Sequence, residues 1–283
     1  MKLVSYNIQY GFGLDGLYDL PRAIRSVADA DVIALQEVER HWPRTGFDDQ
    51  PSIIASLLPD HHWVYGPAFD MDADFRDADG RLVHRRRQFG TMLLSRLPIV
   101  WSRLHLLPMR KMTHRLNTQN PALEGMIRTP SGPLRVFSLH LAHIDADERL
   151  EQIDFLLARH RRVPLEGGPW SGPDDEPHRN WSNGEAEPEA PRDAVWMGDF
   201  NMLPGSPEYR RITENGFVDT ALAAGHAADA VHTHERILEG KPEHRRLDYC
   251  FVTQPLARKV RSSWVDTANA ASDHFPVWTE IDM

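Results

Sequence analysis

Hydrophobic and polar positions change their period several times along this chain, and each change marks an element. Residues 2–8 alternate apolar and polar positions, as a strand does. Leu20, Ala23, Ile24, Val27 and Ala28 then recur at helical spacing, with Asp19 placed as N-cap and Pro21 in the first turn. The run VIALQ at 32–36 reads as a buried strand and completes a β-α-β opening. A short helix is expected over 51–58. Further strands are expected at 63–65, 90–95, 100–106, 122–128, 134–139, 194–198, 247–253 and 277–281. The clearest helix is 147–161, where Leu150, Ile153, Leu156 and Leu157 share one face. Many of the strands follow one another with no helix between them. That order excludes a purely parallel sheet and predicts an α/β fold in which two mixed sheets pack face to face with flanking helices.

Two polar stretches interrupt the pattern. Residues 69–88 end in HRRRQ, and residues 164–192 are rich in Pro, Gly, Asn and acidic side chains without any period. Both read as loop insertions within one domain spanning 1–283. Residues 164–192 hold too little apolar area to order themselves, so a solvated connector is favoured over a lid. No repeat of fixed period occurs.

Composition narrows the class. The 283 residues, 41% hydrophobic and 26% charged, suit an ordinary globular chain. A chain of this size buries roughly three quarters of its unfolded surface and needs no staples. Its one cysteine, Cys250, lies in an apolar run and reads as buried filler rather than a nucleophile. There is no signal-peptide pattern and no membrane-length apolar stretch, which makes the cytoplasm the expected compartment. The net charge of −9 argues against a general nucleic-acid binder, whose affinity comes from neutralising phosphates. The sequence carries no signal for oligomeric state.

The candidate chemistry lies where apolar runs end. Asn7 follows the first strand, Glu37 follows VIALQ, and His140 closes LRVFSL. Asp199 and Asn201 follow AVWMG, Asp248 opens DYCFV, and Asp273 and His274 precede FPVW. In layered α/β folds such endings converge on one rim, where sites form. Singly, each has a structural reading: Asp199 and Asn201 suit a turn, Asp273 suits a cap, and Glu37 suits a surface acid. Together they offer oxygen ligands for a hard divalent cation and histidines that exchange protons near neutral pH.

The ordered set SYNIQYG (5–11), LQEV (35–38), SLHLAH (138–143), GDFN (198–201), RLDYCFV (246–252) and SDHFPV (272–277) resembles the endonuclease/exonuclease/phosphatase superfamily. The likeness covers nearly the whole chain and favours the deoxyribonuclease I-like and sphingomyelinase-like branch. It implies a four-layer sandwich and a phosphoesterase using Mg²⁺ or Mn²⁺. By this resemblance Asn7, Glu37 and Asp273 match metal-site residues. Asp199 matches the aspartate that orients or deprotonates the attacking water, and Asn201 the asparagine on the phosphate. His274 matches the C-terminal catalytic histidine, with Asp248 as its carboxylate partner, and His140 the second histidine. His143 and Arg149 fall in the family pattern that follows this histidine and are assigned as supporting residues, and Arg115, in the basic polar loop after 100–107, is a candidate substrate contact on its charge alone. Either Asp199 or the Asp248–His274 pair would ready the water.

The reading favours a phosphodiester of small-molecule or lipid-headgroup type as the substrate partner. A nuclease acting on DNA or RNA is the alternative. An inactive binding module that keeps the fold is the alternative of another class, although every matched position is occupied.

Overall fold

The computed structural model describes residues 1–174, 178, 180–238 and 240–283. In chain order its elements are β1 (Lys2–Asn7), α1 (Leu20–Arg25), β2 (Val32–Arg40), α2 (Gln50–Leu57), β3 (His62–Asp72), β4 (Phe75–Arg76), β5 (Leu82–Val83), β6 (Arg86–Ser95), β7 (Ile99–Leu106), β8 (Pro121–Thr129), β9 (Gly132–His140) and α3 (Ala146–Glu166). They continue with β10 (Ala194–Asp199), α4 (Pro207–Thr213), β11 (Phe217–Asp219), α5 (Thr220–Ala223), β12 (His234–Leu238), β13 (Lys241–Arg245), β14 (Asp248–Thr253), α6 (Gln254–Ala257), β15 (Val260–Val265) and β16 (Val277–Ile281).

Two sheets of six strands each form the centre, ordered β15-β16-β1-β2-β6-β3 and β11-β14-β10-β9-β8-β7. Both are mixed. The pairs β1–β2 and β9–β10 are parallel and the other neighbours antiparallel.

The strand period of two sorts the core into three layers. Leu3, Val32 and Ala34 face Leu134, Val136, Val195 and Met197 between the sheets. Their neighbours Val4, Tyr6, Ile33 and Leu35 turn outward under α1 and α2. On the other sheet Phe137, Leu139 and Trp196 turn outward under α3 and α4. Continuous apolar runs such as VIALQ are therefore covered on both faces, which gives the expected sandwich of two mixed sheets with flanking helices.

Local signals hold the helices. Asp19 accepts from Arg22 N (3.0 Å) with Pro21 in the first turn of α1, as its sequence predicts. Helix α3 runs past the expected end at 161 to Glu166, carrying Pro164 in its last turn.

Residues 69–88 differ from the expected loop. They are drawn into strands: β3 pairs with β6 as far as Asp72 opposite Arg86, and β4–β5 form a small hairpin at the tip. Polar side chains on both faces erase the alternation by which a strand is read, while the backbone ladder still forms. The described residues of 167–192 form no helix or strand. They dock on the second sheet, where Trp101 Nε1 donates to Glu189 O (2.9 Å) and Arg103 to Gly168 O (3.1 Å). Cys250 is buried, and burial pushes its thiol up to about 12, as suits an inert core residue. No helix among the described residues is long and apolar enough to cross a membrane.

Candidate active site

Register alone brings three of the expected residues into one row. Asp199, the last residue of β10, lies beside His140 on β9 and opposite Asp248 on β14. β10 approaches β9 closely here: a Cβ on Gly198 would stand 2.0 Å from Leu139 O, so only glycine fits before Asp199. On the other sheet Asn7 ends β1 beside Gln36.

The next residue, Glu37, falls on a β-bulge where the β2–β6 register slips between Gln36 and Val38. Its φ is +61°, a left-handed conformation unfavourable for a residue with a Cβ. The bulge re-aims the carboxylate toward the rim. Tyr10 (φ +55°) and Asn201 (φ +50°) share this conformation and line the same cavity as Glu37. Such strain gathers at functional sites.

Asn7 joins the two rims. Its Nδ2 donates to Glu37 Oε1 and to Asp199 Oδ2, each at 3.1 Å, while its Oδ1 accepts from Gln9 N (3.1 Å). That last bond fixes which way the amide points, so one buried amide nitrogen lies between two carboxylates.

Two imidazoles flank Asp199. The Nε2 atoms of His140 and His274 each lie 3.7 Å from Asp199 Oδ2, and His140 Nε2 is 3.9 Å from Glu37 Oε1. His274 Nδ1 lies 2.8 Å from Asp248 Oδ2, and the same oxygen accepts from Thr233 Oγ1 (2.7 Å). Asn201 N donates to Asp199 Oδ1 (2.9 Å), and Asn201 Nδ2 donates to Leu141 O (3.0 Å).

Asp273 sits one step away, on an adjoining cavity that also touches Tyr10 and Arg44. Gln9 Nε2 donates to its Oδ2 (2.8 Å).

Burial and charge set the protonation of these groups. Desolvation would lower His274, but the carboxylates of Asp248 and Asp199 outweigh it and carry its imidazolium up to about 10. Burial pushes Asp248 up to about 6 against the pull of His274. Burial likewise raises Asp273 to about 6, helped by the neighbouring Glu37 and Asp199 charges.

Glu37, Asp199 and the adjoining Asp273 supply oxygen donors, and two of them crowd around a single amide. Among the described residues no Lys or Arg pairs with these carboxylates, and the nearest cation is His274, 3.7 Å from Asp199. This donor set fits a hard divalent cation, which binds oxygen. The two imidazoles beside it are placed for hydrogen bonds to an anion held at the same spot.

The supporting residues separate. His143 lines the cavity, and burial together with His140 lowers its pKa. Arg149 does not reach the cavity. It donates to Ala142 O (3.0 Å) and pairs with the buried Glu208 (2.9 Å). Gln152 accepts from Ala142 N (2.9 Å), so the two helix residues clamp the peptide just before His143. Arg115 is exposed on the β7–β8 loop, whose Leu116, Thr118 and Asn120 line the cavity while Arg115 does not.

Sequence reasoning passed over the cavity wall. Tyr10, Trp42, Phe69 and Phe89 form an aromatic side, and Arg44 stacks 3.6 Å over the Tyr10 ring and 4.5 Å from Trp42. His234 and Arg245 face the histidines from the β12–β13 ribbon. The His234 ring stands 4.7 Å from that of His274, and burial and this neighbour bring His234 down to about 3. No spacing rule links His234 to His274, because a single isolated bridge between their backbones makes the contact.

A sequence model of the Endonuclease/Exonuclease/phosphatase family matches residues 4–274. No curated protein matches the chain. Among solved structures, it is similar to an endonuclease/exonuclease/phosphatase family protein from Leptotrichia buccalis (19% identity, 100% of each chain covered, TM-score 0.66). It is similar to a mannosyl-6-phosphatase from Bacteroides thetaiotaomicron (17%, 100% of each chain, TM-score 0.64). It is also similar to D. rerio TDP2 in complex with a single-strand DNA product (14%, 100% of this chain and 99% of that one, TM-score 0.58). At these identities the likeness establishes the fold, and the match over residues 4–274 makes this chain a member of the endonuclease/exonuclease/phosphatase family.

Proposed function

We propose that the protein hydrolyses a phosphodiester of small-molecule or lipid-headgroup type by in-line attack of water, with Mg²⁺ or Mn²⁺ bound. Members of the family are generally phosphoester hydrolases that use divalent metal ions. The observation that carries the reading is Asp199, flanked at 3.7 Å by both His140 and His274 and joined to Glu37 through Asn7.

Glu37 and Asp273 would hold the cation, with Asn7 fixing Glu37. When bound, the ion supplies charge neutralisation at the phosphate and the leaving oxygen. Of the two groups that could ready the water, the charge balance favours Asp199. His274 is kept protonated by its carboxylate neighbours and is poor as a base. In that state it serves as a fixed cation and donor to a non-bridging oxygen, with Asp248 holding its Nδ1. His140 approaches from the other side. One N–H of the Asn201 amide is spent on Leu141 O, and the second remains for the phosphate.

The preference for a small ester rests on the cavity and the charge. The cavity holds about 330 Å³ and is walled by Trp42, Phe69 and Phe89, room for a phosphate and one substituent. The net charge of −9 gives no general attraction to a polyanion. Of the similar structures, one is named for a small sugar phosphate and one holds a single-strand DNA product, and the cavity supports a substrate of the smaller size without deciding between mono- and diester.

The test is hydrolysis of bis(p-nitrophenyl) phosphate and of plasmid DNA, with Mg²⁺, Mn²⁺ or chelator, by wild type and Glu37→Ala. Metal-dependent cleavage of the small ester alone, lost in Glu37→Ala, is the expected result. Efficient plasmid nicking would move the assignment to a nuclease. Absence of turnover with any metal on either substrate, or on a broader panel of phosphoesters, would leave the inactive module.

A further inference from the structure

We propose a second cation site, outside the catalytic cavity, for a borderline d-block ion such as Zn²⁺, held by His232, Glu235 and His244. The ribbon β12–β13 builds it. Glu235 and His244 are directly opposed in the ribbon's register, and His244 Nε2 lies 3.0 Å from Glu235 Oε2. His232 precedes the ribbon, and its ring lies parallel to that of His244, with centroids 4.1 Å apart and planes 7° apart. One ligand atom from each of the three lies within 4.8 Å of the others.

The strand period separates this site from the catalytic one. His234 and Arg245, the preceding opposed pair, line the catalytic cavity. Glu235 and His244 therefore project from the other face of the ribbon. His232 and His244 line a cavity of about 350 Å³ distinct from the catalytic one, while Glu235 lines the neighbouring cavity of Asp273 and reaches His244 from that side. Arg245 and Arg246 also line the His232–His244 cavity; Arg246 is matched by Asp219 at 2.9 Å, and Arg245, which reaches both this cavity and the catalytic one, has Glu243 at 3.9 Å.

Donor chemistry distinguishes the two sites. Two imidazole nitrogens and one carboxylate oxygen suit Zn²⁺, Cu²⁺ or Ni²⁺, whereas the carboxylates around Glu37 suit Mg²⁺ or Mn²⁺. The stacked rings need to tilt so that their lone pairs converge. His232 is the ring placed to tilt: it is half-buried, with the Phe275 ring 5.4 Å from its own at a steep angle. An ion here would fasten His232 to both strands of the ribbon that carries His234 and Arg245. The inference does not depend on the proposed reaction.

The test is zinc titration of the full-length protein in excess Mg²⁺, followed by calorimetry and thermal unfolding, with Co²⁺ as a spectroscopic substitute. One equivalent of Zn²⁺ is expected to bind and, at 100-fold over its Kd, to raise Tm by about 5 °C. Co²⁺ should give the visible absorption of a four- or five-coordinate ion. Affinity should fall at least ten-fold in His232→Ala and in His244→Ala, and remain in Glu37→Ala and His274→Ala, whether or not a second equivalent enters the catalytic cavity. Both substituted histidines are partly exposed, and each variant is checked against wild-type Tm without zinc. Unchanged affinity in correctly folded His244→Ala, or loss of all zinc binding in His274→Ala, would overturn the proposal.

Discussion

His274 and Asp248 form a buried pair, Nδ1 to Oδ2 at 2.8 Å, whose two members both lose stability as pH rises, but in separate windows. The folded pKa of His274 is raised to about 10, so the stability it contributes is full below its unfolded value of about 6.5. That stability is lost as pH rises through about 10. Asp248 is raised to about 6 by burial, so its share falls as pH rises from about 4 to about 6. Asp248→Asn removes the leading carboxylate that raises His274. The imidazolium should then deprotonate at lower pH, and the alkaline limb of kcat should move down with it. A fall in kcat on the order of 10²–10⁴-fold is expected, as when a carboxylate orienting a catalytic histidine is neutralised. A pH–rate profile whose alkaline limb does not move in Asp248→Asn would remove His274 from the proposed role.

Glu37 combines a carboxylate with a strained backbone, and two substitutions separate them. Both Glu37→Ala and Glu37→Gly delete the carboxylate, so both should lower metal-dependent turnover on the order of 10³-fold. Only glycine relieves the left-handed φ of +61°. Glu37→Gly should therefore be more stable than Glu37→Ala by about 1 kcal/mol. Equal stability by chemical denaturation would show that the bulge relaxes on substitution and that the strain is not intrinsic to the β2–β6 register.

The site residues were legible where an apolar run stops, because a run covered on both faces ends at the rim. Asp199 after AVWMG and Asp248 before YCFV are cases in point, and the sheet register then sets them opposite each other. Glu37 was legible for a weaker reason, since its strand continues to Arg40 beyond the bulge. The ribbon β12–β13 was not legible. Its residues HERIL and KPEHR are largely exposed, so no hydrophobic period marks them as strands. His234 escaped with the ribbon, and the aromatic wall escaped because Trp42 and Phe69 come from segments whose approach only the folded sheet creates. The likeness assigns Arg149 a supporting place, which its bonds to Ala142 O and Glu208 match, whereas Arg115, a candidate only through its basic polar loop, does not line the cavity.

Asn7 holds its two carboxylates through one nitrogen at 3.1 Å each, which makes it a positioning residue for whatever binds between them. Asn7→Ala removes that donor from Glu37 and Asp199 and frees both to separate. The Mg²⁺ concentration giving half-maximal activity should rise about 10–100-fold, as for other groups that orient metal ligands. At saturating Mg²⁺ much of kcat should return. A loss of kcat that excess metal does not restore would place Asn7 in direct contact with the reacting groups instead.

Arg149 provides a test between support and substrate contact. Its guanidinium pairs with Glu208, whose side chain is 4% exposed, and bonds to Ala142 O. Removing the cation leaves a buried carboxylate without its partner, which typically costs about 3–5 kcal/mol. Arg149→Ala should therefore lower Tm by roughly 6–12 °C for a chain of this size. Adding Glu208→Gln should recover a large part of the loss, because the uncompensated charge disappears with it. If Arg149 instead met the substrate phosphate, Arg149→Ala would raise KM while Tm stayed within a degree or two, and Glu208→Gln would not rescue it. The double-variant cycle, read in Tm and in KM together, distinguishes the two. The geometry predicts a large coupling in stability and little change in KM, with any fall in kcat following the release of the Ala142–His143 peptide from its clamp.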